Sequence, residues 1–340
     1  MNDLASVVIE RLGREGIACG PLTAMIARSD KRDRGKVLLY LFEAGGLRPA
    51  WVAKIARTEL GRTVLGREQE AFQRLAAARP RLLGRRPRLY ADAPGIVMVI
   101  EAFATGDPLA NRFGKPEHDQ FALDWLESFQ QPVGDSGRHR TERELTRDLE
   151  EARGAMGPEP VAPLLFEQAL ARVRELAPLR LNEVPVHGDF TPSNLLVLSD
   201  DECFVTDWEW VREAGWPYED PWTYLLVAAR RSGPASDPDD AVAGTLVGRT
   251  NHSKSAARAL LNFASRRRDP APIVPLFALL VLARMASGDQ SAWRDKRSER
   301  YQHVLRLLEA ERERFWEFWD AEAVSRSRER VDDNRQGRVV

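Results

Sequence analysis

Two cysteines in 340 residues, Cys19 and Cys203, are too few for a disulfide framework. Cys203 lies in an apolar run, where a thiol reads as a small buried hydrophobe in a reducing compartment. Histidine is also scarce, at five residues. His118, His139, His252 and His303 lie in unrelated polar contexts, so a hydrolase whose metal is caged by histidines lacks its ligands. Neither sign of charge dominates. The 50 basic and 51 acidic residues leave a net charge of −1, and no overall field favours nucleic acid or an anionic membrane. Long hydrophobic runs are absent too. The longest, 273–283, is interrupted by Pro275, stops at Arg284 and is too short to span a bilayer. The first residues, Met1-Asn2-Asp3-Leu4, carry acid early and do not resemble a signal peptide. A cytoplasmic protein is expected, with neither a nucleic acid nor a membrane as partner. There is no internal repeat, and no Gly-x-Gly-x-x-Gly string: residues 28–35 hold a single glycine. With 43% hydrophobic and 30% charged residues, the chain can bury a large core.

What is present centres on residues 184–210. His187-Gly188-Asp189 is followed by Asn194 and then by Asp207. Between the last two lie an apolar run (195–198), a polar turn (199–202) and a second apolar run (203–205), the pattern of a β-hairpin. Such a hairpin brings Asn194 and Asp207 together at its mouth. Their oxygen atoms suit a hard cation such as Mg²⁺, which keeps phosphates and waters as further ligands. Asp189, in the loop leading in, suits a proton acceptor for a substrate group.

The order His-x-Asp-x-x-x-x-Asn, followed by an aspartate after a hairpin, is similar to the kinase catalytic loop and its metal-binding aspartate. In the form His187-Gly188-Asp189 with Asp207-Trp208-Glu209, it resembles the aminoglycoside phosphotransferase and choline kinase superfamily of small-molecule kinases. The resemblance implies an α+β, protein-kinase-like bilobal fold with a small β-rich N-lobe and a larger α-rich C-lobe. It implies ATP and Mg²⁺ as cofactors, Asp189 as catalytic base, and Asn194 and Asp207 as metal ligands. His187 would brace the loop, and Asp220 matches the aspartate that supports the loop from below. The role of Glu209 stays open.

Upstream, residues 3–16 show a helical stripe, and residues 22–27, 36–43 and 50–55 read as three strands. They look like the first strands of a kinase N-lobe. Trp51-Val52-Ala53-Lys54-Ile55 resembles the kinase Val-Ala-Ile-Lys string, with the lysine one place earlier. Lys54 would then reach the nucleotide phosphates, held by a glutamate of the next helix. Phe72 and Leu75 stand four and seven residues after Glu68, so Glu68 lies on the inward stripe and is chosen, while Glu70 is a solvated charge. Residues 96–100 form a continuous apolar strand. Residues 101–107 resemble the inter-lobe hinge, which by analogy lends the Glu101 carbonyl and the Phe103 amide to the adenine edge. Lys31, Arg32 and Arg34 read as a solvated cluster on a hairpin tip.

Downstream, helices are expected over 119–130, over 141–154 as an exposed, charged one, and over 163–176, 254–267, 273–286 and 297–322. The expected organisation is an N-lobe over 1–104, a C-lobe over 105–323, and a disordered polar tail over 324–340. Two features weigh against a protein kinase. Gly188 stands where an arginine commonly reads a phosphorylated activation loop, and only twelve residues separate Asp207 from Asp220. The expected activity is ATP-dependent transfer of phosphate to a hydroxyl of a small polar acceptor: an amino sugar, another sugar or an amino alcohol. The alternative is a non-catalytic, nucleotide-binding regulator of pseudokinase type. The aromatic residues of 208–224 and 313–320 read as C-lobe core, and in second place as a face for a cationic or sugar-like acceptor.

Overall fold

The computed structural model describes residues 2–17, 20–28, 35–83, 88–93, 96–111, 116–131, 137–199, 202–232, 237–288 and 297–335. Cys19 and the Lys31, Arg32 and Arg34 cluster lie outside them. The chain divides into two compact units, Met1–Asp107 with Leu196–Glu213, and Pro108–Leu195 with Ala214–Val340.

The first unit is built on a five-stranded antiparallel sheet. Its strands are β1 (Leu22–Arg28), β2 (Lys36–Glu43), β3 (Trp51–Ala56), β4 (Arg88–Ala93) and β5 (Ile96–Ala102), in the order β1-β2-β3-β5-β4. Because side chains alternate across a strand, the sheet has two distinct faces. On one, Leu39, Leu41, Ala53, Ile55, Met98 and Ile100 pack against Val8 and Leu12 of α1 (Asn2–Arg14). On the other, Ala56, Val97 and Val99 pack against Leu65 of α2 (Glu59–Ala78). Helix α2 starts at Thr58, whose hydroxyl accepts a hydrogen bond from the Gly61 amide at 3.1 Å and so satisfies one of the orphan donors of the first turn. Lys54 lies opposite Leu38 on one side and Val99 on the other, which puts it on the α2 face. One residue later, Ile55 faces α1. The lysine's displacement from the kinase pattern is therefore what aims it at α2.

The strand expected over 96–100 runs on to Ala102, because Glu101 and Ala102 keep register with Val52 and Trp51 of β3. The hairpin formed by β7 (Leu195–Ser199) and β8 (Glu202–Val205) is present as expected, but from residue 196 onward it belongs to the first unit and not to the second lobe. The contacts of its downstream segment explain this. Trp208 packs edge-on against Phe72 of α2, with ring centroids 5.6 Å apart, and Glu213 pairs with Arg74 of the same helix. Within β8, Cys203 is partly buried, and burial pushes its thiol up to about 12, leaving it un-ionised at neutral pH.

The second unit is mainly helical. Its elements are α3 (Pro116–Phe129), α4 (Glu142–Ala155), α5 (Pro163–Glu175), the short strand β6 (Val184–Val186), α6 (Glu219–Ser232), α7 (Pro238–Leu246), α8 (Asn251–Arg267), α9 (Val274–Ser287), α10 (Arg297–Ala310) and α11 (Arg312–Arg335). Helix α9 is apolar all round and buried from Val274 to Ala283. Such a helix belongs at the centre of a unit.

Four sequence expectations need correction here. Helix α4 is packed and not exposed: Leu145, Leu149 and Ala152 form a buried stripe, and its buried Asp148 meets Arg140, Arg284 and the Trp216 indole N–H. Its charges mislead because partners on other elements neutralise the inward one. The long helix expected over 297–322 is two helices, broken at Glu311. Residues 324–335, expected to be a disordered tail, continue α11. Arg326 pairs with Glu329 one turn on, and Glu329 also pairs with Arg258 of α8. Residues 336–340 lie outside the described part. Finally, His252 does not stand in an unrelated context, since its Nε2 lies 3.4 Å from Asp119 Oδ2 on α3. Burial pushes the Asp119 carboxyl up to about 7 and the imidazole down, so near neutral pH this contact is not a full ion pair.

Most of the aromatic residues of 208–224 and 313–320 fill the core, while Trp210 and Phe318 are half-buried. Trp216, Tyr218, Trp222, Tyr224, Phe315, Trp316 and Trp319 are all buried. The indole N–H groups of Trp222 and Trp319 donate to the carbonyls of Val274 and Leu246, at 2.8 and 3.1 Å. Rings committed in this way are structural, so the acceptor-face reading of these residues is set aside.

Candidate active site

Each unit carries a polar cluster. In the first, Lys54 is the centre. Its Nζ lies 3.1 Å from Glu68 Oε1, 3.5 Å from Glu101 Oε1 and 4.0 Å from Asp207 Oδ1. The pair with Glu68 is the one that the helical spacing selects, and Glu70 is exposed. Burial alone would lower the lysine pKa, but the carboxylates of Glu68, Glu101 and Asp207 outweigh it and hold the amine well above its usual range. Burial likewise works against the Glu68 carboxylate, yet Lys54 and Arg88 lower its pKa to about 2. Both groups are therefore charged at any working pH.

Arg88 is a member that the sequence reading missed. Its Nη2 donates to Glu68 Oε1 at 2.7 Å and its Nε to Gln69 Oε1 at 3.1 Å, and its guanidinium lies 4.3 Å from the Phe72 ring centre. It thus holds α2 at two consecutive residues and stacks on a third. The only signal in the sequence is an arginine directly ahead of Leu89-Tyr90-Ala91.

Around the hinge, the Glu101 side chain reaches Lys54, a contact separate from the carbonyl role expected of this residue. The Phe103 amide, expected to face adenine, donates to the Ala50 carbonyl at 2.8 Å and is committed to the β3 side of the sheet. No local signal in the sequence shows where the sheet pairing of β5 stops.

Asp207 follows β8 and has left-handed backbone angles, φ 62° and ψ 62°. A non-glycine residue holds that conformation at a cost, and aspartate tolerates it better than most. Beyond it, the turn Trp208–Trp210 places Glu209 Oε2 3.0 Å from Lys36 Nζ.

The second unit holds His187, Gly188, Asp189 and Asn194. Gly188 has φ +81°, a left-handed conformation for which glycine carries no Cβ penalty. That bend presents the His187 and Gly188 amides to one carboxylate. Asp220, fully buried at the start of α6, accepts from His187 N at 2.7 Å and from Gly188 N at 2.9 Å. The His187 ring is buried as well, and its Nδ1 accepts from the Asp189 amide at 3.3 Å. It braces the loop from inside. Phe190 anchors the next residue, stacked on Trp125 with centroids 5.5 Å apart. Asn194 Nδ2 donates to the Asp189 backbone carbonyl at 2.8 Å and to its carboxylate Oδ2 at 3.1 Å. The carboxamide is thereby oriented, with Nδ2 turned to Asp189 and Oδ1 as its remaining acceptor. Asn194 Oδ1 and the Asp207 carboxylate are hard oxygen donors, the chemistry Mg²⁺ takes. Among the described residues, no three His, Cys, Asp or Glu side chains come together as a metal site.

The Asp220 contacts carry a prediction. Asp220→Ala leaves two buried amides unpaired, at about 1–3 kcal/mol each. Denaturant unfolding should show a loss of that size, and a change under about 0.5 kcal/mol would mean that the loop does not depend on this carboxylate.

Lys54 with Glu68, Asp189 with Asn194, and this pair of units define a class, the protein-kinase-like phosphotransferases. The chain belongs to the phosphotransferase enzyme family, whose model matches residues 37–257, and is a small-molecule kinase by class. The fold is similar to a candidate aminoglycoside phosphotransferase from Ralstonia eutropha JMP134, with TM-score 0.55 and 14% identity, over 93% of this chain and 98% of that one. It is similar to macrolide 2'-phosphotransferase MphH from Brachybacterium faecium, with TM-score 0.53 and 15% identity, over 88% and 97%. It is also similar to a thermostable mutant of aminoglycoside phosphotransferase APH(4)-Ia in ternary complex with ADP and hygromycin B, with TM-score 0.51 and 12% identity, over 89% and 98%. At these identities the likeness speaks for the fold. No curated protein matches the sequence. Among the described residues, no helix is long and apolar enough to cross a membrane.

Proposed function

We propose that the protein transfers the γ-phosphate of ATP, supplied with Mg²⁺, to a hydroxyl of a small polar acceptor such as an amino sugar, another sugar or an amino alcohol. The observation that carries this reading is Lys54, which lies 3.1 Å from Glu68 and 4.0 Å from Asp207. A cation and a carboxylate held side by side suit the two things a nucleoside triphosphate brings, its phosphates and its metal. Lys54, aimed by Glu68 and Arg88, neutralises phosphate charge. Asn194 and Asp207 would hold Mg²⁺, which when bound stabilises charge developing on the phosphate oxygens. Asp189, fixed by its loop and by the Asn194 amide, orients the acceptor hydroxyl and takes its proton as the new P–O bond forms and the bond to the departing ADP breaks. The transition state is loose, so this positioning is most of what the protein supplies. Two of the similar structures are named for a macrolide phosphotransferase and for a complex with hygromycin B, which supports a small-molecule acceptor.

The test is a phosphate-transfer screen with Mg²⁺ and either ATP or GTP. Acceptors are aminoglycosides, macrolides, free sugars, choline-like alcohols and nucleosides, with mass spectrometry of the product. A phosphorylated small molecule is expected, with ATP as the preferred donor. Phosphate accepted only by proteins, or nucleotide bound without turnover on any acceptor, would overturn the reading.

A further inference from the structure

We infer that Lys36 and Glu209 form a tether that sets the position of Asp207, which makes Lys36 a positioning residue of the phosphotransfer site. The inference rests on the reading of Asp207 as the metal carboxylate.

Lys36 opens β2 and lies opposite Ala56 of β3, two places before Leu38, the partner of Lys54. With a period of two, Lys36 and Lys54 share one face of the sheet. Its Nζ reaches Glu209 Oε2 at 3.0 Å, with the two side chains only 9% and 8% exposed. Charges so far removed from water are strongly coupled, and removing one member of such a pair is costly. The entry of Lys36 into the sheet is itself fixed. Gly35 precedes it with φ +52°, its carbonyl accepts from the Arg57 amide, and a Cβ there would stand 2.3 Å from Thr58 Cγ2. The anchor on β2 is therefore rigid.

The other end of the tether lies two residues beyond Asp207, whose left-handed backbone needs support from its neighbours. On the upstream side β8 supplies it. Downstream, the residues next to Asp207 are attached as well. Trp208 packs on Phe72 and donates its Nε1–H to the Val205 carbonyl at 3.0 Å, and Glu209 holds Lys36. Lys54, at 4.0 Å, is beyond hydrogen-bonding distance from Asp207 and does not fix it alone. Lys36 acts on Asp207 through Glu209, from a part of the sheet where no phosphate-covering glycine motif stands.

The test compares full-length Lys36→Met, Glu209→Gln, the double variant and Lys36→Arg. Amide hydrogen exchange over 206–211 is followed without any nucleotide or metal. Each single change should speed exchange there about tenfold, the double should match a single, and Lys36→Arg should restore protection. The double removes both charges together, so it stays informative where a single variant fails to fold. In phosphate transfer, Lys36→Met, Glu209→Gln and the double variant should raise the Mg²⁺ concentration for half-maximal rate about tenfold, with the acceptor KM unchanged, and Lys36→Arg should not. Unchanged exchange in Lys36→Met, or losses that multiply in the double, would overturn the tether. A raised nucleotide KM with an unchanged Mg²⁺ requirement would overturn it in favour of direct phosphate contact by Lys36. If Asp207→Asn leaves the Mg²⁺ requirement unaltered, the metal reading of Asp207 fails, whatever the exchange experiment gives for the tether.

Discussion

Asp189→Asn is expected to lower phosphate transfer by about 10²–10⁴-fold and to leave the fold and nucleotide binding in place. The substitution is nearly isosteric. The backbone contacts of the loop do not involve the Asp189 carboxylate: Asp220 still holds the His187 and Gly188 amides, and Asn194 still donates to the residue-189 carbonyl. What is lost is a group that can take the proton of an acceptor hydroxyl. The proposed phosphate and metal residues, Lys54, Asn194 and Asp207, are untouched. Single-turnover transfer and calorimetric binding of Mg²⁺·ATP separate the two effects. A loss confined to binding, or turnover within about threefold of wild type, would remove Asp189 from the chemistry.

Lys54 and Glu68 are expected to act as one unit in transfer and as two in stability. For transfer, the glutamate works only through the lysine, so the double alanine variant should be hardly slower than Lys54→Ala alone, itself slowed about 10²-fold or more. Rate losses that multiply would mean that Glu68 has a task of its own. Stability should follow the other partner. With Lys54 gone, Glu68 still has Arg88 at 2.7 Å, but with Glu68 gone, the buried Lys54 and Arg88 both lose their best carboxylate. Glu68→Ala should therefore destabilise more than Lys54→Ala, by about 1–3 kcal/mol, since two buried cations lose their closest carboxylate. The pH dependence has a definite sign. The native Glu68 carboxyl is lowered to about 2 from its ordinary 4.5, so its contribution is complete above about 4.5 and is lost as the pH falls towards about 2. Glu68→Gln should flatten the unfolding curve in that window, and equal acid sensitivity of both proteins would count against the assignment.

Arg88 connects these results to the helix. It bonds Glu68 and Gln69 and stacks on Phe72, whose ring also meets Trp208 beside Asp207. The lysine–glutamate pair and the Asp207 turn are thus packed onto the same stretch of α2. Repositioning that helix would move both together.

The chain order alone determined the features that depend on a single element or on neighbours a few residues apart. The His187-to-Asn194 loop is one, because four residues between an aspartate and an asparagine let a turn join them. The β7–β8 hairpin is another, as two apolar runs around a polar turn have few other ways to fold. The choice of Glu68 over Glu70 followed from helical period, and Lys54 on β3 from strand pattern. Tertiary structure alone decided which elements meet. Arg88 on Glu68, Lys36 on Glu209 and Phe103 on Ala50 join segments far apart in the chain or strands whose register no local pattern announces. The same holds for α4, whose charges looked solvated until Arg140, Arg284 and Trp216 closed on Asp148, and for α11, whose polar end is tied to α8 by Arg258. Periodicity states which face of an element turns inward. It does not state what that face will find there, and a buried charge is tolerable only when it finds its partner.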